Sequence, residues 1–303
     1  MNRASTYLFS LFLSVILVFS ILGAAFCAVV NFTVTPENTV ELTHENAIDQ
    51  KVYDYLDNLY KDRYYTSGIP AGIYMDAIDN NWLKEIIEAD IKDGFEVLNE
   101  HTALEREFKN DELEKNIRNF FSNYADSVGA EKDDIYNRKV DKAVSNAYSI
   151  IESACDVYKI KTLQQHGVIT KLAKVYSRCS LMTTLLVSAI LVICLLLMFV
   201  NRKDTTYVLY WAGVSSIIAG IIGAAPCGYL LLTKFYDSFS IKQPQIYTAY
   251  TSAMYSFTYA VTAIMIALII TGIAVMTLYS VVWRFKVQTK ELEAIHNNKL
   301  NDK

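Results

Sequence analysis

The stretch "LMTTLLVSAILVICLLLMFV", Leu181–Val200, decides the fold. It is a continuous apolar run without a single charge, and ~20 such residues are what a helix needs to cross a ~30 Å hydrocarbon layer. Three further uncharged stretches, 4–36, 205–233 and 243–283, meet the same condition beside this one at 179–201. Between the first and second of them lies a highly charged segment. The chain therefore reads as an all-α membrane protein, with four transmembrane helices and a helical-bundle extracytoplasmic domain inserted between helices 1 and 2.

The charge is unevenly divided. Residues 32–178 carry 27 Asp/Glu and 18 Lys/Arg, a net of −9, and the remainder carries 5 and 10, a net of +5, which together make the overall −4. A near-neutral total thus conceals an acidic domain joined to a basic membrane section. An acidic surface argues against nucleic acid as a partner, because phosphate binding needs clustered cations. The partners expected are the lipid bilayer and another protein.

Four segments follow from this reading. Residues 1–31 form transmembrane helix 1, 32–178 the extracytoplasmic helical domain, 179–284 transmembrane helices 2–4, and 285–303 a basic cytoplasmic tail. Span one runs over Thr6–Val30 after Arg3. Gly23 and Ala25 are small enough to precede a signal-peptide cut, but the apolar run exceeds a usual ~7–15-residue signal core, which favours an uncleaved anchor. Phe26 in "GAAFC" fills the place of the small residue that a lipoprotein signal requires.

Spans two, three and four are placed at Leu181–Val200, Thr206–Leu232 and Ala253–Trp283. Aromatic residues collect near their ends (Tyr207, Tyr210, Trp211 and Tyr229; Tyr250, Tyr255, Tyr279 and Trp283), as amphipathic rings do at headgroup depth. Arg3, Arg202, Lys203, Arg284, Lys286 and Lys290 flank one side of the membrane. Lys171, Lys174, Arg178, Lys234 and Lys242 flank the other. The bias puts both termini in the cytoplasm and residues 32–178 outside the cell membrane. Gly220, Gly223, Ala224 and Gly228 on span three offer close helix approach, and Pro226 a kink. No Asp, Glu, Lys, Arg or His lies within a span, which weighs against an ion-coupled transporter.

Within the charged domain the apolar period is helical. Thr43 is expected to cap a helix to Asp62 buried through Ile48, Val52, Leu56 and Leu59, after an extended piece marked by Phe32/Val34 and Val40/Leu42. Gly68 and Pro70 end that helix, and a short one covers Ala71–Ile78. Asn80 or Asn81 caps the next, with Leu83, Ile86, Ile87, Ile91, Phe95 and Leu98 inward. Thr102 and Glu105 form a capping box for a helix reaching Tyr124. A loop at Ser127–Lys132 precedes a last helix from Asp133 with Val140, Val144, Ala147, Ile151 and Cys155 inward. After a weak point at His166–Gly167, Ile169, Leu172, Val175 and Tyr176 continue the period into span two. The tyrosines between Tyr53 and Tyr74 fit a half-buried core or an exposed binding patch.

No residue pattern in the chain carries catalysis. His44-Glu45 lacks the second His of a metalloprotease helix, "DAIDNN" (Asp76–Asn81) lacks the glycine and terminal glutamate of a calcium loop, and no nucleophile-elbow or phosphate-loop motif occurs. The five cysteines include no CxxC pair, and Cys155 and Cys179 meet only if the chain reverses near Gly167. Asn31-Phe32-Thr33 matches a glycosylation sequon that abuts the membrane. No catalytic, cofactor-binding or metal-ligating residue is assigned, and no cofactor.

Three functions are compatible with this, one of them a structural or assembly factor for the envelope, which the sequence does not separate from the first below. The first is a non-enzymatic membrane protein whose helical ectodomain binds or senses an envelope or extracellular partner. The second arises from the order of one domain and then three spans, which resembles in topology the FtsX/MacB class of ABC-transporter membrane subunits. That resemblance implies a separate ATPase partner meeting the chain at Arg202 and Lys203. Its departures are a very short cytoplasmic N-terminus and a helical domain where that class mixes in strands.

Overall fold

The computed structural model describes residues 3–99 and 108–301. Among them every regular element is helical. The order is α1 (Arg3–Thr33), α2 (Pro36–Glu45), α3 (Ile48–Ser67), α4 (Gly72–Met75), α5 (Asn80–Leu98), α6 (Asp111–Val128), α7 (Asp134–Cys155), α8 (Ile160–Gln165), α9 (Val168–Val200), α10 (Tyr207–Leu232) and α11 (Pro244–Asn301), with a 3₁₀ turn at Phe235–Ser238. Four of them, α1, α9, α10 and α11, are long and apolar enough to span a membrane. By that criterion the chain is a multi-pass membrane protein.

Contacts divide the chain into two compact units. One comprises Met1–Thr33, Arg178–Phe235 and Ser256–Lys303, and the other Val34–Ser177 with Tyr236–Tyr255.

In the membrane-helix unit, α1 packs on α10, and Leu13, Leu17, Ile193, Leu197 and Trp211 close one buried cluster. Val29, Val261 and Met265 close another. Side chains such as Phe12, Phe19, Leu195, Phe199 and Ile270 are exposed. A bilayer solvates such residues, so burial against lipid gives little drive to pack helix on helix. Close approach and hydrogen bonds supply it instead. A Cβ on Gly220 would lie 2.7 Å from the Met265 carbonyl oxygen, and one on Gly272 would lie 2.9 Å from the Gly213 carbonyl oxygen. Only glycine lets α10 and α11 touch backbone to backbone at these points. Gly223 abuts the Met265 thioether, whereas Gly228 faces open space.

Four hydroxyl or amide clasps add to this contact. Asn31 Nδ2 donates to Thr183 Oγ1 (3.0 Å), and Asn201 Nδ2 to Ser10 Oγ (3.0 Å). Ser215 Oγ donates to the Ser14 carbonyl (3.2 Å), and Ser216 Oγ to the Leu268 carbonyl (2.9 Å). Trp211, expected at the headgroup belt, is instead buried between Tyr7 and Tyr210.

The second unit is a helical bundle with its own core, which includes Ile48, Val52, Leu56, Leu83, Ile86, Leu113, Ile117 and Ile151. Four of its helices begin where a short polar side chain can replace the missing acceptor for their first amides. Thr35 caps α2, Asp79 caps α5, Asn110 caps α6 and Asp133 caps α7. Several expectations are corrected by this. Thr43 is not a cap but a buried residue of α2 whose hydroxyl donates to the Val40 carbonyl, and the segment read as extended is helical from Pro36. Asp79 takes the place given to Asn80 or Asn81. Residues 108–110 are not helical, so no continuous helix reaches Tyr124. The capping box at Thr102 and Glu105 lies outside the described residues.

α7 ends at Cys155, well before Gly167, because Lys159 adopts the left-handed region and the Asp156 carboxylate caps a new start at the Ile160 amide. On α9, Ile169 is buried but Leu172 and Val175 are exposed. The first turns of α11 also belong here. Ala249 is fully buried in the core, Tyr250 Oη donates to the Tyr158 carbonyl (2.6 Å), and Gln243 Nε2 donates to Tyr55 Oη (3.0 Å).

Candidate ligand cleft

α6 opens with Asn110, whose side chain caps its own helix at Leu113 N and donates to the Ala77 carbonyl (2.7 Å). Its backbone amide donates to Tyr148 Oη of α7, which in turn donates to the Asn110 carbonyl. This one residue thereby fixes α6 against α7 and against the chain that follows α4. Leu113, Ile117 and Ala125 face the core. The adjoining stripe of α6 carries Asn116, Asn119 and Asn123 at the three-to-four spacing of one helical face, with Phe120 and Tyr124 beside it.

That stripe and α4 form the walls of an open cleft of about 450 Å³, lined by Gly72, Ile73, Asp76, Asn116, Asn119, Phe120, Asn123 and Tyr124. Its size falls in the ~300–1,000 Å³ range of small-molecule sites. Asn116, Phe120 and Ile73 are half-buried, and Asn119, Asn123, Asp76 and Tyr124 are exposed. None of the three asparagine amides is tied into a hydrogen bond with another side chain or carbonyl among the described residues. Among the described residues the lining holds one carboxylate, Asp76, and no cation. Arg118, on the same helix, is spent elsewhere, bridging Glu114 and Asp141 (2.7 and 2.8 Å).

A second polar cluster lies where α5 meets α7 and α8. Gly94 of α5 sits directly under Ile160, so the two helices are in close contact there. One turn earlier, Asp90 Oδ2 is buried with no hydrogen-bond partner among the described residues. Burial pushes the Asp90 carboxyl up to about 7, Lys161 opposing and Asp156, Glu152 and Asp93 adding to the rise. The same burial holds the Cys155 thiol well above its ordinary value and lowers Lys159.

The other residues raised by the sequence find structural places. His44 Nε2 is hydrogen-bonded to Glu88 Oε1 at 2.9 Å on the exposed side of α2. Asp79 of "DAIDNN" is a helix cap, while Asp76 lines the cleft. Cys155 and Cys179 are both free thiols, as are Cys27, Cys194 and Cys227. The Asn31 amide is engaged by Thr183. Among the described residues no group of His, Cys, Asp and Glu is arranged to hold a metal ion. Tyr60 stacks on Tyr74 in the core (4.1 Å between centroids, planes 8° apart), whereas Tyr65 is almost fully exposed.

Sequence reasoning missed the cleft. Its signal was present in "NIRNFFSNY" (Asn116–Tyr124), three asparagines on one face flanked by aromatics, but it is a pattern that names no chemistry until α4 supplies the opposite wall. No protein-family model, curated protein or solved structure matches the chain.

Proposed function

We propose that this chain is a non-enzymatic integral membrane protein whose helical unit lies outside the cell membrane and binds an envelope or extracellular partner, with both termini in the cytoplasm. The observation that carries the reading is the cleft between α4 and α6. It is a concave site with convergent polar groups on a bundle that has its own core. Small-molecule and polymer-end sites have this form, an apolar floor with a few fixed hydrogen-bonding groups. The side of the membrane follows from the Lys/Arg flanks, Arg202, Lys203, Arg284 and Lys286 on the inner side. The spans hold no Asp, Glu, Lys, Arg or His, which weighs against a path for coupled ions and favours an anchoring role for the membrane helices.

The test is photocrosslinking in native membranes. p-Benzoylphenylalanine in place of Tyr124 should yield a discrete adduct on irradiation, and the same group in place of Lys139, on the exposed face of α7, should not. Equal labelling at both positions, or none at Tyr124, would overturn the reading.

A further inference from the structure

We infer that the occupant of the α4–α6 cleft is a neutral saccharide, held by Asn116, Asn119 and Asn123 at its hydroxyls and by Tyr124 and Phe120 at a ring face. The inference rests on the reading that this cleft binds a partner.

The lining chemistry excludes most other classes. An anionic ligand, whether phosphate or carboxylate, would meet the like charge of Asp76 and, among the described residues, no cation to pair with. A metal ion would find one carboxylate where several hard ligands are needed. An extended peptide gains its affinity from an open sheet edge, and the walls here are helices whose backbone groups are already bonded internally. A docked amphipathic helix needs a continuous apolar stripe, whereas this cleft offers Ile73, Phe120 and Tyr124 broken by amides. A lipid tail would strip water from three carboxamides and return no hydrogen bond.

A sugar answers each group. A carboxamide both donates and accepts, as a pair of neighbouring hydroxyls does, so one Asn can close two bonds with a diol. Asp76 accepts from hydroxyls without needing a countercharge. The C–H face of a pyranose is apolar and matches an aromatic ring, and Tyr124 stands exposed beside the asparagine row for that contact. The row from Asn116 to Asn123 extends roughly 10 Å along the helix axis. That length suits a short run of linked rings better than a single one.

The experiment uses the full chain in lipid nanodiscs prepared without glycosidic detergents, whose headgroups would compete. Maltotriose, cellotriose and N,N′,N″-triacetylchitotriose are each tested by saturation-transfer difference NMR. At least one should receive saturation, and the double variant Asn119→Ala/Asn123→Ala should bind it roughly tenfold more weakly or worse. Tyr124→Leu, which keeps bulk but removes the ring, should also weaken it, and Asp141→Asn outside the cleft should not. Both asparagines are exposed, so unchanged circular dichroism of the variants is expected. Absence of saturation by all three saccharides, or binding unaffected by the double variant, would overturn the inference.

The Tyr124 photo-adduct separates the two levels. An adduct that proteases remove and glycosidases do not would sink the saccharide while leaving a binding cleft. No adduct and no saturation would sink both.

Discussion

Asp90 shows how one carboxyl can make the helical unit sensitive to pH. Its neutral form is favoured in the fold, because burial raises it to about 7 from the ordinary 3.8. For a carboxyl raised on folding, the stabilising contribution is complete below the unfolded value and is lost as pH rises through the folded one. The groups around it are Asp93 on its own helix, Glu152 and Asp156 at the end of α7, and Lys161 on α8. Between pH 6 and pH 7 the wild type should therefore lose on the order of 1 kcal/mol from this group alone, and only a few tenths more by pH 8. Asp90→Asn should remove that slope and raise the unfolding temperature at pH 8. Thermal circular dichroism of the chain in nanodiscs checks it, and identical slopes for the two proteins would refute it. Gln245 poses a related question. It is fully buried, with neither amide atom bonded among the described residues.

At the scale of elements, α10 and α11 are held by glycine geometry. A side chain at Gly272 must displace the Gly213 carbonyl and the Ile217 amide, which are backbone and cannot rotate away. Gly272→Leu should cost about 1–3 kcal/mol, the usual range for overpacking. Gly228→Ala, which meets nothing within 4 Å, should be nearly neutral. Unfolding temperatures in nanodiscs distinguish the two, and equal effects would show that close approach is not what joins these helices.

This is also where the sequence was partly legible. A charge-free run long enough to span a bilayer has no other stable form than a helix, so all four spans were readable. The small-residue row on span three pointed to Gly220 and Gly223. It could not point to Gly213 and Gly272, because a close approach is a property of two helices and periodicity describes one. Caps were readable to within a residue at Asp79 and Asp133. Thr43 failed because it offers the same hydroxyl inside a helix as at its start: it lies in α2, opened by Thr35-Pro36, while the helix expected from it starts at Ile48 after Ala47, which has no capping side chain. The first turns of α11 failed for another reason. Uncharged Pro244–Tyr255 reads as continuous with the span, while its burial, by Ala249 and Tyr250, is against residues distant in sequence.

At the scale of the molecule, an acidic segment of net −9 is joined to a remainder of net +5. The orientation proposed from the flanking cations has a direct check. Glu131→Cys, in the α6–α7 loop, should react with a membrane-impermeant maleimide on intact cells, and Lys203→Cys, in the α9–α10 turn, only after permeabilisation. The reverse pattern would invert the topology, and with it the compartment from which a ligand could reach Asn119. The chain's own thiols make a further class of measurement practical. Cys155 is wholly enclosed, Cys179 nearly so, and the remaining three are half-covered within apolar helices. Sulfhydryl reagents act on the thiolate in water. The natural protein is thus close to silent toward such reagents, and a pair of nitroxides could be added without first emptying five packed positions. Dipolar spectroscopy could then follow the width of the α4–α6 opening, free and occupied, in an otherwise unaltered chain.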